Sequence, residues 1–151
     1  MTSFLQYSEL VYKIVGAAMS VHSELKWGLL EPIYQEALHL ELMEQSIVNE
    51  RECEISCYYK SHCLEKKYKM DIVVKDIVLE LKSCKEIIPS HRAQLFNYLR
   101  LTKHPIGLLI NFGSHSLQCE RYGYDVSTNE CYLLDRAMQI VPKEAQWCDI
   151  E

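Results

Sequence analysis

The chain has 151 residues, 48% of them hydrophobic, and 16 basic against 21 acidic side chains give a formal net charge of −5. This length and apolar share suit one domain with a sizeable core. An acidic balance excludes a protein that coats nucleic acid through an overall basic field. No apolar run reaches the ~20 residues of a bilayer span, and the first residues lack the charged-then-apolar pattern of a leader. A cytoplasmic protein without membrane contact is therefore expected. The seven cysteines are odd in number and read as reduced thiols rather than a disulfide framework.

Residues 8–25 read as an amphipathic helix. Ser8 is the expected N-cap, Glu9 lies in the first turn, and Val11, Ile14, Val15, Ala18, Val21 and Leu25 recur at helical spacing. Lys26-Trp27-Gly28 breaks it. A second helix is expected from Glu31 to Glu44, with Pro32 tolerated in its first turn and an apolar stripe of Leu30, Ile33, Tyr34, Ala37, Leu38 and Leu42. The period then changes. Cys53, Ile55, Cys57 and Tyr59 alternate with polar neighbours, which is a strand pattern. A turn at Lys60-Ser61-His62 leads into a polar strand ending at Asp71. Two valine-rich strands flank the turn Lys75-Asp76, and Pro89-Ser90 marks the return to helix, from Ala93 to about Leu101. The continuous apolar run Ile106 to Asn111 suits a fully buried strand. Leu117, Cys119 and Arg121 suggest one more, with a turn near Thr128-Asn129. The order α-α-β-β-β-α-β-β predicts an α/β fold with a mixed sheet flanked by helices. One domain is expected over residues 1–141, followed by a polar, poorly ordered tail over 142–151.

The hairpin around Lys75-Asp76 carries the most information. A two-residue turn there sets Val74 opposite Ile77, Val73 opposite Val78, Ile72 opposite Leu79 and Asp71 opposite Glu80. Asp71, Val73, Val78, Glu80 and Lys82 then share one face, and Ile72, Val74, Ile77, Leu79 and Leu81 share the apolar other. Like charges directly opposed across an antiparallel pair are destabilising. Two readings resolve this. Either the acids lie on a solvated face and pair with Lys69 and Lys82, or a divalent cation sits between them. Hard carboxylate oxygens suit Mg²⁺ or Mn²⁺, which would polarise a phosphoryl oxygen while Lys82 stabilises charge beside it.

Other positions gather around that hairpin. Glu31 and Tyr34 share a face at the start of the second helix, although the helix dipole alone also accounts for Glu31. Gln94 and Tyr98 stand one above the other on the third helix. Between Lys82 and His104 the chain carries Lys82, Lys85, Arg92, Arg100 and Lys103 against only Glu86. This is either a grip on a phosphate backbone or a solvated helix face. His91 near the start of that helix is in reach of a phosphate or is a surface group.

Gly28-x-x-Glu31-x-x-Tyr34, Asp71, Glu80-x-Lys82, Gln94-x-x-x-Tyr98 and Gly107-Leu-Leu-Ile-Asn111-Phe together resemble the GxxExxY proteins of the PD-(D/E)XK nuclease superfamily, in its RecB-like branch. The resemblance runs from about Tyr7 to Arg121, with Met70 standing where the superfamily's signature has proline. It implies a restriction-endonuclease-like core and phosphodiester hydrolysis with Mg²⁺ or Mn²⁺. On that resemblance Asp71 and Glu80 hold the metal with Glu31 as a third carboxylate, and Lys82 is catalytic. Tyr34, Gln94 and Tyr98 support the site, while Lys85, Arg92 and Arg100 grip nucleic acid, DNA in the first place.

Two rivals remain at the level of sequence. One is a nucleic-acid-binding or protein-interaction module that keeps the fold without turnover. The other is a structural subunit that dimerises, so a second copy is also a candidate partner. No iron–sulfur cluster or zinc is expected. Eleven and sixteen residues separate Cys119, Cys131 and Cys148, unlike compact cluster ligation, and no histidine pair completes a zinc site with Cys53, Cys57 and Cys63. No glycine-rich phosphate loop is present.

Overall fold

In the computed structural model, which describes residues 3–143, the alternating segments join into one six-stranded sheet. Its strands, in spatial as well as chain order, are β1 (Glu50–Tyr59), β2 (His62–Val74), β3 (Ile77–Lys82), β4 (Ile106–Asn111), β5 (Gln118–Asp125) and β6 (Glu130–Leu134). Only β3 and β4 run parallel; every other neighbouring pair is antiparallel. A parallel pair needs a crossover, and α3 (Pro89–Thr102) supplies it. The helices α1 (Ser8–Leu25) and α2 (Glu31–Glu44) precede the sheet. This is the mixed sheet flanked by helices of the restriction-endonuclease-like fold. Among the described residues no helix is long and apolar enough to cross a membrane.

Two cores lie on the two faces of the sheet. Ile72, Val74, Ile77, Leu79 and Leu81 pack with Val11, Ile14, Ala18, Tyr34, Leu38 and Leu42 of the first two helices. Val78 and Leu109 pack on the other face with Leu95, Tyr98 and Leu99 of α3. β4 is buried along its whole length, as a run apolar at every position requires when both faces are covered.

Several expectations need correcting. Ser8 does not cap α1: a short 3-10 turn, Leu5–Tyr7, feeds straight into the helix, so Ser8 is already its first residue. The buried stripe of α2 is Tyr34, Gln35, Leu38 and Leu42, leaving Ile33 and the preceding Leu30 (73% exposed) in solvent. The third helix begins four residues earlier than Ala93, because Pro89 occupies its first position, where a missing N–H does no harm. The turn between β1 and β2 is Lys60-Ser61, and His62 already belongs to the strand. A strand beyond the predicted two follows α3: β6 pairs with β5 through Tyr122–Leu133 and Tyr124–Cys131. The predicted tail lies from residue 144 onward outside the described residues.

The hairpin register is the expected one, with Ile72–Leu79, Val73–Val78 and Val74–Ile77 paired. Lys75 takes the left-handed conformation that closes its turn (φ 51°). The ladder stops at Ile72–Leu79, just before the two carboxylates.

Candidate active site

Where the β2–β3 ladder ends, carboxylates take over the backbone bonds. The Leu81 amide donates to Asp71 Oδ2 at 2.8 Å, and the Asp71 amide donates to Glu80 Oε1 at 3.2 Å. The acid pair is therefore part of the hairpin's own wiring. Glu80 is 2% exposed and Asp71 is half-buried, so the reading of a solvated acid face does not hold. One pleat along, Lys82 Nζ donates to Gln94 Oε1 at 2.8 Å, and Gln94 Nε2 donates to the Tyr98 hydroxyl at 2.9 Å. The i and i+4 spacing of Gln94 and Tyr98 on α3 thus forms a relay that fixes the ammonium at the carboxyl end of β3.

Electrostatics bind the same group together. Burial, reinforced by the charge of Asp71, pushes the Glu80 carboxyl up to about 9. Burial also raises Asp71, opposed by the Leu81 amide, Lys82 and a hydrogen bond from Gln35, and assisted by Glu52. Glu31 is raised by burial and next by the charge of Asp71, while Lys82 pulls it down. Tyr98 is pushed up to about 12 by burial and then by Glu80. Asp71, Glu80, Lys82, Glu31 and Tyr98 therefore occupy one electrostatic neighbourhood, assembled from α2, β2, β3 and α3.

A family model of the PD-(D/E)XK nuclease superfamily matches residues 8–122. The chain belongs to the PD-(D/E)XK nuclease superfamily. No curated protein gives a significant match. Among solved structures, the one described as "Crystal structure of SSO0001" is similar in fold, with a TM-score of 0.53 at 19% identity. The match covers 82% of this chain and 64% of that one, so this chain spans less than two thirds of its structural relative.

In this PD-(D/E)XK chain the remaining predicted residues take distinct places. Tyr34 does not face the carboxylates. It stacks on Phe112 with ring centroids 4.7 Å apart, donates to the Lys26 carbonyl and accepts from the Leu29 amide at 3.1 Å. It thus ties down the loop in which Gly28 adopts φ 99°, a conformation that glycine takes at no steric penalty. The Ser83 hydroxyl holds the same loop by donating to the Leu29 carbonyl, linking the entry of α2 to the exit of β3.

Lys85 is exposed. Arg92 forms two 2.8 Å bonds to the Glu120 carboxylate, so its guanidinium is committed to β5. Arg100 is half-buried near Cys131. His91 accepts the Ile88 amide at 3.2 Å and so caps α3. The cysteines of the described residues are free, Cys63 exposed and the others partly buried.

Sequence reading missed three contributors. Gln35, buried on α2, donates to Glu52 Oε1 at 3.1 Å, accepts from Arg51 Nε at 3.2 Å and bonds to the Asp71 side chain. Glu52 reaches the group because β1 twists there at φ 55°; neither feature has a periodic signal. Asn111, fully buried, accepts from the Cys84 and Gly113 amides at 3.0 Å and donates to the Cys84 carbonyl at 2.9 Å. It pins the loop that follows Lys82. Its position at the end of an apolar strand was the available signal.

Among the described residues no three acidic, histidine or cysteine side chains already converge as a ligand cage. The donor chemistry nevertheless fits a hard divalent cation. Asp71 and Glu80 offer carboxylate oxygens; burial raises both acids, and nearby negative charge adds to it, that of Asp71 on Glu80 and that of Glu52 on Asp71. That repulsion is what a bound cation relieves.

Proposed function

We propose that this protein is a divalent-metal-dependent nuclease of the GxxExxY type in the RecB-like branch, acting on DNA with Mg²⁺ or Mn²⁺. The observation that carries the reading is the buried Asp71–Glu80 pair with Lys82 held beside it by Gln94. Accepting the two backbone amides accounts for a polar side chain at each position, but not for two buried carboxylates beside a positioned lysine. A pair kept next to a positioned lysine has a chemical use.

When bound by Asp71 and Glu80, with Glu31 in support, the metal supplies Lewis acidity toward a phosphoryl oxygen and a readily ionised water. The chain's own residues do the rest. Asp71 is oriented by the Leu81 amide, and Gln35 steadies its side chain. Lys82 presents a fixed positive charge where the pentavalent phosphate gains negative charge, a preorganised stabilisation that needs no rearrangement during attack. The Gln94–Tyr98 relay keeps that ammonium from swinging into solvent. Glu80 must release its proton before it serves as a ligand, so metal loading is expected to strengthen as pH rises.

The test is incubation of purified protein with single- and double-stranded DNA and RNA in Mg²⁺, Mn²⁺ or EDTA, alongside Asp71→Ala. The reading expects metal-dependent cleavage that Asp71→Ala abolishes. Cleavage that persists in EDTA or in the variant counts against it. Absence of cleavage, with melting raised by metal through Asp71, would instead support a binding module.

A further inference from the structure

Beyond the domain core, β1 and β2 continue as a two-stranded arm whose side chains are almost all exposed from Ser56 to Lys69. Ile55 pairs with Tyr68, and Ile55 packs in the core on the α3 side of the sheet. Tyr68 therefore faces α3, and its ring meets that of Tyr98 at a centroid distance of 5.7 Å. Ile55 and Tyr59 alternate onto one side of β1, so Tyr59 shares the side of Tyr68, while Leu64 and Lys66 are exposed residues of the stretch of β2 where the register shifts. The pairing of His62 with Tyr59 brings His62 to that side. At about 3.3 Å per residue, the four steps from Ile55 to Tyr59 carry the strip roughly 13 Å outward from Tyr68.

This strip lies open to solvent: Tyr59 is 63% exposed, Leu64 43% and Tyr68 41%. Its charge is unlike that of the whole chain. Residues 56–69 carry four lysines against one glutamate, while the protein has a net charge of −5. Glu54 lies on the opposite face, where Lys67 pairs with it at 3.4 Å, and Glu65 is the single acid of the arm's outer part. The Lys60 ammonium lies 5.5 Å from the centre of the Tyr59 ring. Exposed tyrosines with four lysines against one acid suit stacked bases and a phosphate backbone. A duplex hides its base faces and would leave the tyrosines without that use.

We infer that the β1–β2 arm is a binding platform for single-stranded nucleic acid, with bases stacking on Tyr59 and Tyr68, Lys66 on the backbone, and the strand led past Tyr98 to Lys82. The inference rests on the nuclease reading of the hairpin site for its substrate class.

The experiment is fluorescence anisotropy in EDTA, so that binding is read without cleavage. The probes are labelled oligo(dT) and oligo(U) of about 20 nucleotides, longer than the site sizes usual for such platforms. The double variant Tyr59→Ala/Lys66→Ala is expected to bind about 5- to 150-fold more weakly. Tyr59→Phe/Lys66→Arg, which keeps ring and charge, restores binding, and Tyr58→Ala on the opposite face leaves it unchanged. Thermal melts confirm that each variant folds. The two probes show whether the platform distinguishes DNA from RNA. Unchanged affinity in the double variant overturns the inference, as does equal weakening by Tyr58→Ala or equally tight binding of a duplex. A wild type that cleaves while the double variant binds normally sinks the arm and leaves the nuclease standing. A wild type that binds through the strip but never cleaves does the reverse.

Discussion

Replacing Glu80 with glutamine isolates the electrostatic strain stored at the hairpin. Glu80 is 2% exposed, and burial with the Asp71 charge lifts its carboxyl from 4.5 to about 9. Below the lower value both folded and unfolded chains carry the proton. Between the two values the unfolded chain releases it and the folded chain does not, so stability falls as pH rises and levels off only above about 9. A tenfold difference in proton affinity between the two states corresponds to ~1.4 kcal/mol, so by about pH 8 the metal-free protein forgoes on the order of 3–5 kcal/mol. Glutamine keeps an oxygen to accept the Asp71 amide and does not titrate. In EDTA, Glu80→Gln is expected to melt close to wild type near pH 5 and roughly 5–15 °C above it near pH 8. Melting by circular dichroism across that range is the assay. A variant whose melting temperature falls with pH as steeply as wild type refutes a buried, raised Glu80.

Other perturbations probe the supports. Gly113→Ala places a Cβ 2.2–2.6 Å from the Cys84 backbone and Ser83 carbonyl carbon; a loss of about 2–3 kcal/mol in denaturant titration is expected, because backbone must move. Arg92→Ala leaves the partly buried Glu120 carboxylate with the Tyr122 hydroxyl but without its cation. It should lower stability by about 1–3 kcal/mol and change oligonucleotide affinity less than Lys85→Ala does, the reverse of what a backbone-gripping arginine would show. Tyr98→Phe removes the acceptor that holds Gln94, and single-turnover cleavage should slow by roughly 5- to 10-fold, in line with about 1 kcal/mol for one hydrogen bond.

What was legible in the sequence follows from local periodicity. The limits of α1 and α2 agree with residues 8–25 and 31–44 because breakers flank strongly patterned segments. The pairing of Val73 with Val78 followed from alternation and a two-residue turn. Leu30 and Ile33 were misjudged because a stripe gives a helix's apolar side and not where the neighbouring layer ends. β6 escaped notice because Glu130–Leu134 is short and only its Leu134 is fully buried. The coupling of Glu31 to Asp71 had only the resemblance to announce it. Gln35 and Glu52 had nothing, since both depend on how α2 crosses β1 and on one residue at positive φ. Arg92 shows a further limit: a run of basic residues says nothing about Glu120, which arrives from a strand 28 positions away.

The Asp71–Glu80–Lys82 hairpin is proposed to hydrolyse a phosphodiester. Single-turnover cleavage of single-stranded DNA in Mg²⁺, by wild type and by Lys82→Ala, tests it most directly. Lys82→Ala leaves Asp71 and Glu80 in place, so EDTA-sensitive cleavage by wild type and a rate about 10²–10³-fold lower in the variant are expected. Cleavage by Lys82→Ala at the wild-type rate would contradict it.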